Sequence, residues 1–338
     1  MIHTKSLTKD FVVSKTNTVH AVRAITLDVE PGELVAVLGP NGAGKSTTMR
    51  MLTTLIQPTA GSATVAGHDV VSESAQVRRL IGYVGQGNGA GHNQRAGDEL
   101  YTQGVIYGLD RRAAKRRAAE LLEALDLTAL TSRKVSSLSG GQRRRLDVAM
   151  GLVHAPSLLF LDEPSTGLDP QNRANLWEHI LQMRESAATP MTIVLTTHYL
   201  DEADSMAGRV VVVDHGEIIA DDTAEALKAN LAGYRLVVEA DQPTETARLT
   251  SLLDGFAGAR DIQVEGGTVS ARVVNGPRAL PEFLRAADHA GIAVGTAQVH
   301  RPTLDDVFLT LTGRSLREAE STNNAEDAAS TAARKDAA

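Results

Sequence analysis

The segment Gly39-Pro40-Asn41-Gly42-Ala43-Gly44-Lys45-Ser46 constrains the fold more than any other part of this chain. It satisfies the pattern G-x-x-x-x-G-K-[ST] at every fixed position. The apolar run Leu34-Val35-Ala36-Val37-Leu38 before it reads as a buried strand, and Ser46 to Ile56 after it reads as a helix. Glycines in that setting let successive backbone N–H groups turn inward around phosphate oxygens, while the positive end of the helix faces the same anion. Lys45 is placed to reach the β- and γ-phosphates and the Ser46 hydroxyl to ligate Mg²⁺, with Thr47 in the same phosphate-facing first turn. A plain glycine-rich turn would explain the glycines but not Lys45 and Ser46 in register.

A second run, Leu158-Leu159-Phe160-Leu161-Asp162-Glu163, delivers two carboxylates at the C-terminal edge of an apolar strand, where ligands gather in parallel sheets. Asp162 suits a Mg²⁺ coordination sphere. Glu163 is placed to polarise the water that attacks a γ-phosphate. An acidic turn closed by Pro164 is the bland alternative, and the preceding phosphate loop weighs against it. A third run, Thr192 to Thr197, ends at His198, whose imidazole can donate a hydrogen bond to the γ-phosphate. The remaining histidines form no metal-like cluster, so no metal beyond Mg²⁺ is expected.

Between these motifs stands Leu138-Ser139-Gly140-Gly141-Gln142, which opens a helix running through Arg145, Val148 and Leu152 and so makes a second anion-binding helix start. Together these residues resemble the ATP-binding subunit of an ABC transporter, in the expected order over residues 2 to about 230. The resemblance implies an ATPase with ATP and Mg²⁺ as ligands, working as a head-to-tail dimer of two copies or of this chain with a related one. Each ATP would lie between one chain's phosphate loop and the other chain's Ser139, Gly140, Gly141 and Gln142. Gln86 matches the family glutamine that ligates Mg²⁺ and links the site to the membrane partner. Asp169, in Ser165-Thr166-Gly167-Leu168-Asp169, matches the loop that crosses the dimer interface. Phe11 sits where the family places an aromatic ring against adenine; a core or rim phenylalanine is the equal alternative.

A finer resemblance, to the daunorubicin-resistance type of exporter ATPase, rests on three stretches. These are Thr196 to Asp204, His215-Gly216-Glu217-Ile218-Ile219-Ala220, and Arg301-Pro302-Thr303-Leu304-Asp305-Asp306-Val307-Phe308-Leu309. It implies an integral-membrane permease as partner, a peripheral position on the cytoplasmic face of the membrane, and export of a hydrophobic drug, antibiotic or lipid. The glycine-rich Gly87 to Gly91, followed by Gln94-Arg95-Ala96-Gly97-Asp98-Glu99-Leu100, departs from the family pattern on the surface that faces the permease.

Composition agrees with this reading. A chain of 338 residues exceeds one typical domain. No apolar run reaches the roughly 18 residues that span a bilayer, and no signal-peptide core precedes the first motif, so a soluble chain is expected. The absence of cysteine excludes disulfides and thiolate metal sites. Lys+Arg 34 against Asp+Glu 41 leaves a net charge of −7, without the basic footprint of a nucleic-acid binder.

The expected fold is α/β: a P-loop NTPase cassette over 1–230 with a mostly parallel sheet core, an antiparallel subdomain and a helical insert at about 87–150. Within the insert Asp110 caps a helix through Leu125, with Ala114, Ala118, Leu121, Leu122 and Leu125 on one face. Arg111, Arg112, Lys115, Arg116 and Arg117, and likewise Arg143-Arg144-Arg145, read as solvated charged faces. Strand signals at 234–239, 261–264 and 269–273 and an amphipathic helix from Arg278 to Ala290 predict a small C-terminal α+β domain over 232–313. The Ala-, Glu- and Ser-biased residues 318–338 read as a disordered tail. Two rival functions stand against the transporter reading. A soluble signature-bearing ATPase acting on DNA or ribosomes would bring coiled coils, zinc-binding cysteines or two cassettes, and a small-molecule P-loop kinase would leave the signature and His198 unexplained.

Overall fold

A computed structural model describes residues 1–14, 17–186, 190–313 and 315. The chain divides into two compact units, the first Met1–Asp221 and the second beginning at Asp222, upstream of the expected boundary at 230–232. The expected tail lies outside the described residues.

In the first unit a parallel sheet carries the strands Leu34–Leu38, Thr192–Thr197, Leu158–Asp162 and Ile81–Val84 side by side in that order. Arg209–Asp214 pairs in parallel on the other side of Leu34–Leu38, and Glu217–Asp222 follows it at the edge. Every residue of the three central strands is buried. That explains their continuous β-branched and leucine runs, because a parallel strand covered on both faces has no polar side to show. Each buried Leu or Ile so placed is worth about 2–5 kcal/mol against alanine. All five parallel strands point their C-terminal ends the same way, which gathers Leu38, Val84, Asp162, Thr197 and Asp214 at one edge.

A second sheet is antiparallel, in the order Asn17–Ile25, Ile2–Ser14, Ala60–Val65, His68–Asp69, with Asp28–Val29 also paired to Ile2–Ser14. The two sheets share one core, in which Ile2, Val29, Val65, Met49, Phe160 and Val211 pack together. The helical insert follows. Its Arg111–Ala124 helix starts as expected, with the Asp110 carboxylate accepting from Arg112 N and Ala113 N at 2.8 Å each, and buries Ala114, Ala118, Leu121 and Leu122. It packs closely against Ala96–Ile106, where a Cβ on Gly104 would come within 3.1 Å of the Ala114 methyl.

The second unit is an antiparallel sheet in the order Arg260–Glu265, Thr268–Val273, Tyr234–Ala240, Val294–His300. Its core joins Leu236, Val238, Val269 and Ala271 to Leu249 and Leu253 of Thr246–Asp254 and to Phe283 and Ala287 of Gly276–His289. This is the small α+β architecture expected from sequence, with one strand, Val294–His300, and two helices, Thr246–Asp254 and Leu304–Thr312, more than the periodicity signals. The final helix, Leu304–Thr312, is fixed by a capping box between Thr303 and Asp306.

Candidate nucleotide site

The loop between Leu38 and the Lys45–Leu52 helix floors a cavity of about 260 Å³ whose walls include Pro40 to Thr47, Ala21, Gln86 and Glu163. Its shape depends on glycine at two positions above all. A Cβ on Gly39 would lie 2.1 Å from Val213 O, and Gly44, at φ 101°, would bring one within 2.4 Å of Ala21 O. Lys45 is almost fully buried, and its ammonium donates to Gly39 O at 2.5 Å and Pro40 O at 3.0 Å. Backbone acceptors thus hold the cation over the loop, where an anion would be met.

Asp162 is wholly buried at the end of its strand. Its Oδ1 accepts from Ser46 Oγ at 2.8 Å and from Thr196 Oγ1 at 2.6 Å, while its Oδ2 has no hydrogen-bond partner among the described residues. Gln86 Nε2 donates to the same Ser46 hydroxyl at 3.0 Å. A buried carboxylate oxygen left over beside a hydroxyl and a carboxamide is a hard-oxygen donor set, and it fits Mg²⁺. Thr196 is the member of this cluster to which sequence reasoning gave no role in the site; that role is legible only once its strand is seen to pair with Leu158–Asp162.

Glu163 takes the left-handed backbone conformation, at φ 47°, held by its N–H donating to Thr196 O at 3.1 Å and Thr196 Oγ1 at 3.0 Å. Such a conformation costs a non-glycine residue about 1–3 kcal/mol and is kept where the surroundings over-determine it. The turn swings the carboxylate over the cavity: Oε1 lies 3.9 Å from Lys45 Nζ and Oε2 3.4 Å from His198 Nδ1, with Thr166 Oγ1 donating to Oε2 at 3.1 Å. Burial pushes the Glu163 carboxyl up, but the close approach of the His198 imidazole and the Lys45 charge outweigh it and hold the group below its ordinary 4.5. Glu163 is therefore a carboxylate at neutral pH.

The fold thus brings Lys45, Ser46, Gln86 and Glu163 to the wall of one cavity, with Asp162 hydrogen-bonded to Ser46 and His198 beside Glu163. It does not bring the signature residues there. Ser139 caps the Gly140–Leu152 helix in a reciprocal box: Gln142 N donates to Ser139 Oγ at 3.3 Å and Ser139 N to Gln142 Oε1 at 3.0 Å. Gln142 therefore has a local role in shaping this helix start, and the exposed Gly140 leaves the terminus open. Gly141 is wedged against Asn172, to whose side-chain oxygen a Cβ would come within 2.7 Å. Asp169 accepts from Asn172 N at 2.8 Å and from Asn172 Nδ2 at 2.6 Å, so it caps the Pro170–Ser186 helix. Phe11 is 41% exposed and pairs with Val19, two residues before the cavity-lining Ala21. A larger cavity of about 560 Å³, lined by Arg117, Leu121, Met183 and Met191, lies at the opposite ends of the strands and has no phosphate-binding loop.

One sequence expectation is overturned at Arg144. The run Arg143-Arg144-Arg145 reads as a solvated face, yet Arg144 is only 8% exposed. Four backbone carbonyls, of Gly85, Asp162, Glu163 and Pro164, accept from its guanidinium and take the place of water. Arg143 donates to Leu138 O, and Arg145 donates to Leu125 O at 3.0 Å. Acceptors contributed by distant segments leave no trace in local charge patterning.

Comparison with known proteins decides the family. The ABC transporter family model matches residues 22–166, and the model for the C-terminal domain of DrrA1-3-like ATP-binding proteins matches 223–312. The daunorubicin resistance ATP-binding protein DrrA3 of Streptomyces coeruleorubidus is 42% identical over 300 residues, covering 89% of this chain and 93% of that protein. The chain belongs to the ABC transporter ATP-binding proteins of the daunorubicin-resistance type. The linearmycin resistance ATP-binding protein LnrL of Bacillus subtilis is 34% identical, over 88% of this chain and 95% of its own length. A solved ATP-binding cassette, a dimer in a post-hydrolysis state bound to ADP and Pi, shares the fold with a TM-score of 0.60 at 24% identity, covering 66% of this chain and 98% of its own. The protein is accordingly a nucleotide-binding transporter ATPase. None of its described helices is long and apolar enough to cross a membrane.

Proposed function

We propose that this ATPase binds Mg·ATP in a head-to-tail dimer and uses its hydrolysis to drive export of a hydrophobic drug or antibiotic through a separate permease, from the cytoplasmic face of the membrane. The observation that carries the catalytic part is the ionised Glu163 held between Lys45 and His198 above the phosphate loop. In this reading the loop amides of Asn41 to Thr47 and the Lys45 ammonium bind the β- and γ-phosphates, and Ser46, Gln86 and Asp162 hold the metal. Mg²⁺ supplies neutralisation of the charge that builds on the phosphate oxygens. Glu163 accepts a proton from the attacking water, and His198 keeps the carboxylate aimed while donating toward the γ-phosphate. Phe11 is assigned to the adenine.

The open helix start at Ser139, Gly140 and Gly141 supplies the second half of the site. It stands apart from the chain's own phosphate loop, and a second chain turned head to tail would present it to the γ-phosphate. Asp169 would lie at the same interface. The cargo assignment rests on relatives named for daunorubicin and linearmycin resistance. The discriminating experiment is affinity purification of the tagged chain from mildly solubilised membranes. A polytopic membrane protein should accompany it in stoichiometric amount and survive washing at high salt. Recovery of the chain alone, or with nucleic acid or ribosomes, would contradict the transporter reading.

A further inference from the structure

Two side chains one helical turn apart on the signature-bearing helix Gly140–Leu152 hold both flanks of the segment that carries Gln86. Arg144 Nη1 donates to Gly85 O at 2.6 Å on the upstream side. Asp147 Oδ1 accepts from Gly89 N at 3.0 Å and from Ala90 N at 3.2 Å on the downstream side. The same Arg144 fork also reaches Asp162 O and Glu163 O, at 3.3 Å each. Both residues are at least nine-tenths buried, and Asp147 Oδ2 has no hydrogen-bond partner among the described residues. The intervening Gly87 and Gly89 leave the loop with little stiffness of its own, because glycine gives up more backbone freedom than any other residue when it is ordered. Burying a carboxylate and a guanidinium costs free energy unless their hydrogen bonds repay it, and here those bonds go almost entirely to loop and strand-end backbone.

We infer that Arg144 and Asp147 are positioning residues that clamp the Gln86 loop to the helix beginning at Ser139, so that Gln86 reaches Ser46 and follows any displacement of that helix. The consequence is a mechanical link inside one chain. Ser139 and Asp147 sit at two points of one rigid helix, so a ligand engaging the helix start moves the loop whose glutamine bonds the Ser46 hydroxyl. This rests on the metal-holding role assigned to Gln86 under the proposed function.

The test compares Asp147→Ala, Asp147→Asn, Arg144→Lys, Val148→Ala and Gln86→Ala in the full chain. Asp147→Ala removes the acceptor of two amides and is expected to lower kcat by about 10- to 100-fold, the cost of a misplaced group at a reacting centre. The Mg²⁺ concentration for half-maximal activity should rise about tenfold, as when a metal ligand loses its support. Affinity for a fluorescent ATP analogue in EDTA should be unchanged, and amide exchange over residues 85–90 should quicken. Arg144→Lys keeps the charge but loses the fork and should move kcat, the Mg²⁺ requirement and loop exchange the same way, with analogue affinity again unchanged. Asp147→Asn keeps an acceptor oxygen and should restore them. Val148→Ala, a buried change on the same helix, should lower thermal stability and leave metal dependence and loop exchange as they were. The clamp is wrong if Asp147→Ala leaves the metal dependence and loop exchange of the native protein, if Val148→Ala reproduces its effects, or if Asp147→Asn fails as badly as alanine. Gln86→Ala separates the two levels. A shifted metal requirement there, with none in Asp147→Ala, removes the clamp alone, whereas no shift in Gln86→Ala removes the assigned role of Gln86 and the clamp with it.

Discussion

Glu163→Gln is expected to lower ATP turnover by roughly 10²- to 10⁴-fold, the range lost with a positioned acid–base group, while ATP affinity stays near that of the native protein. Glutamine keeps the volume and the acceptor oxygen that meets Thr166, so the left-handed turn at Glu163 and the Lys45 contacts to Gly39 and Pro40 survive. What it loses is basicity. The native carboxyl is held below its ordinary range by His198 and Lys45, so an ionised base is present throughout the neutral range, and an amide offers none. With hydrolysis blocked and binding intact, ATP should hold two chains together, visible as a dimer on a sizing column that ADP does not produce. Turnover near the native rate would take Glu163 out of the catalytic role.

The second large effect concerns the two halves of the site. Lys45→Ala removes the buried cation over the phosphate loop, and Ser139→Arg removes the cap of the signature helix and fills its open start. Each variant alone should be inactive, because every site in its homodimer lacks one half. If the halves come from opposite chains, a mixed dimer pairs the intact loop of one subunit with the intact helix start of the other and so regains one complete site. With free exchange, about half the dimers are mixed, and activity should return to roughly a quarter of the native level for independent sites. The loss of the cap costs only about 1 kcal/mol of helix stability, too little to unfold the cassette. A mixture no more active than its parents, with subunit exchange demonstrated by labelled chains, would place both halves of the site in one chain.

Much of the fold was legible because its signals are local. Leu34–Leu38 and Leu158–Asp162 are continuous apolar runs ending at motif residues, and strands buried on both faces require such runs. The Asp110 cap and the Ala114, Ala118, Leu121 face foretold the Arg111–Ala124 helix for the same reason. What stayed hidden depends on partners distant in sequence. Arg144 is surrounded by charged residues in the chain, and only tertiary structure supplies the four carbonyls that make its burial tolerable. Thr196 joins the Asp162 cluster through strand pairing. The Val294–His300 strand alternates too weakly to announce itself, with Gly295 and three small or polar neighbours, and is recruited by pairing with Tyr234–Ala240. Ser139 and Gln142 were legible as a motif, but their reciprocal capping, which preorganises the helix start, is a matter of geometry.

The proposed function has hydrolysis at this site power transport. It is tested most directly in inside-out membrane vesicles from cells co-expressing the chain with the membrane protein that co-purifies with it, using a fluorescent anthracycline as cargo. Addition of Mg·ATP should drive the drug into vesicles carrying the native chain, and the rate should fall with turnover in vesicles carrying Glu163→Gln. Uptake equal in the two preparations, or absent from native vesicles whose ATPase is active across a panel of hydrophobic antibiotics, would contradict it.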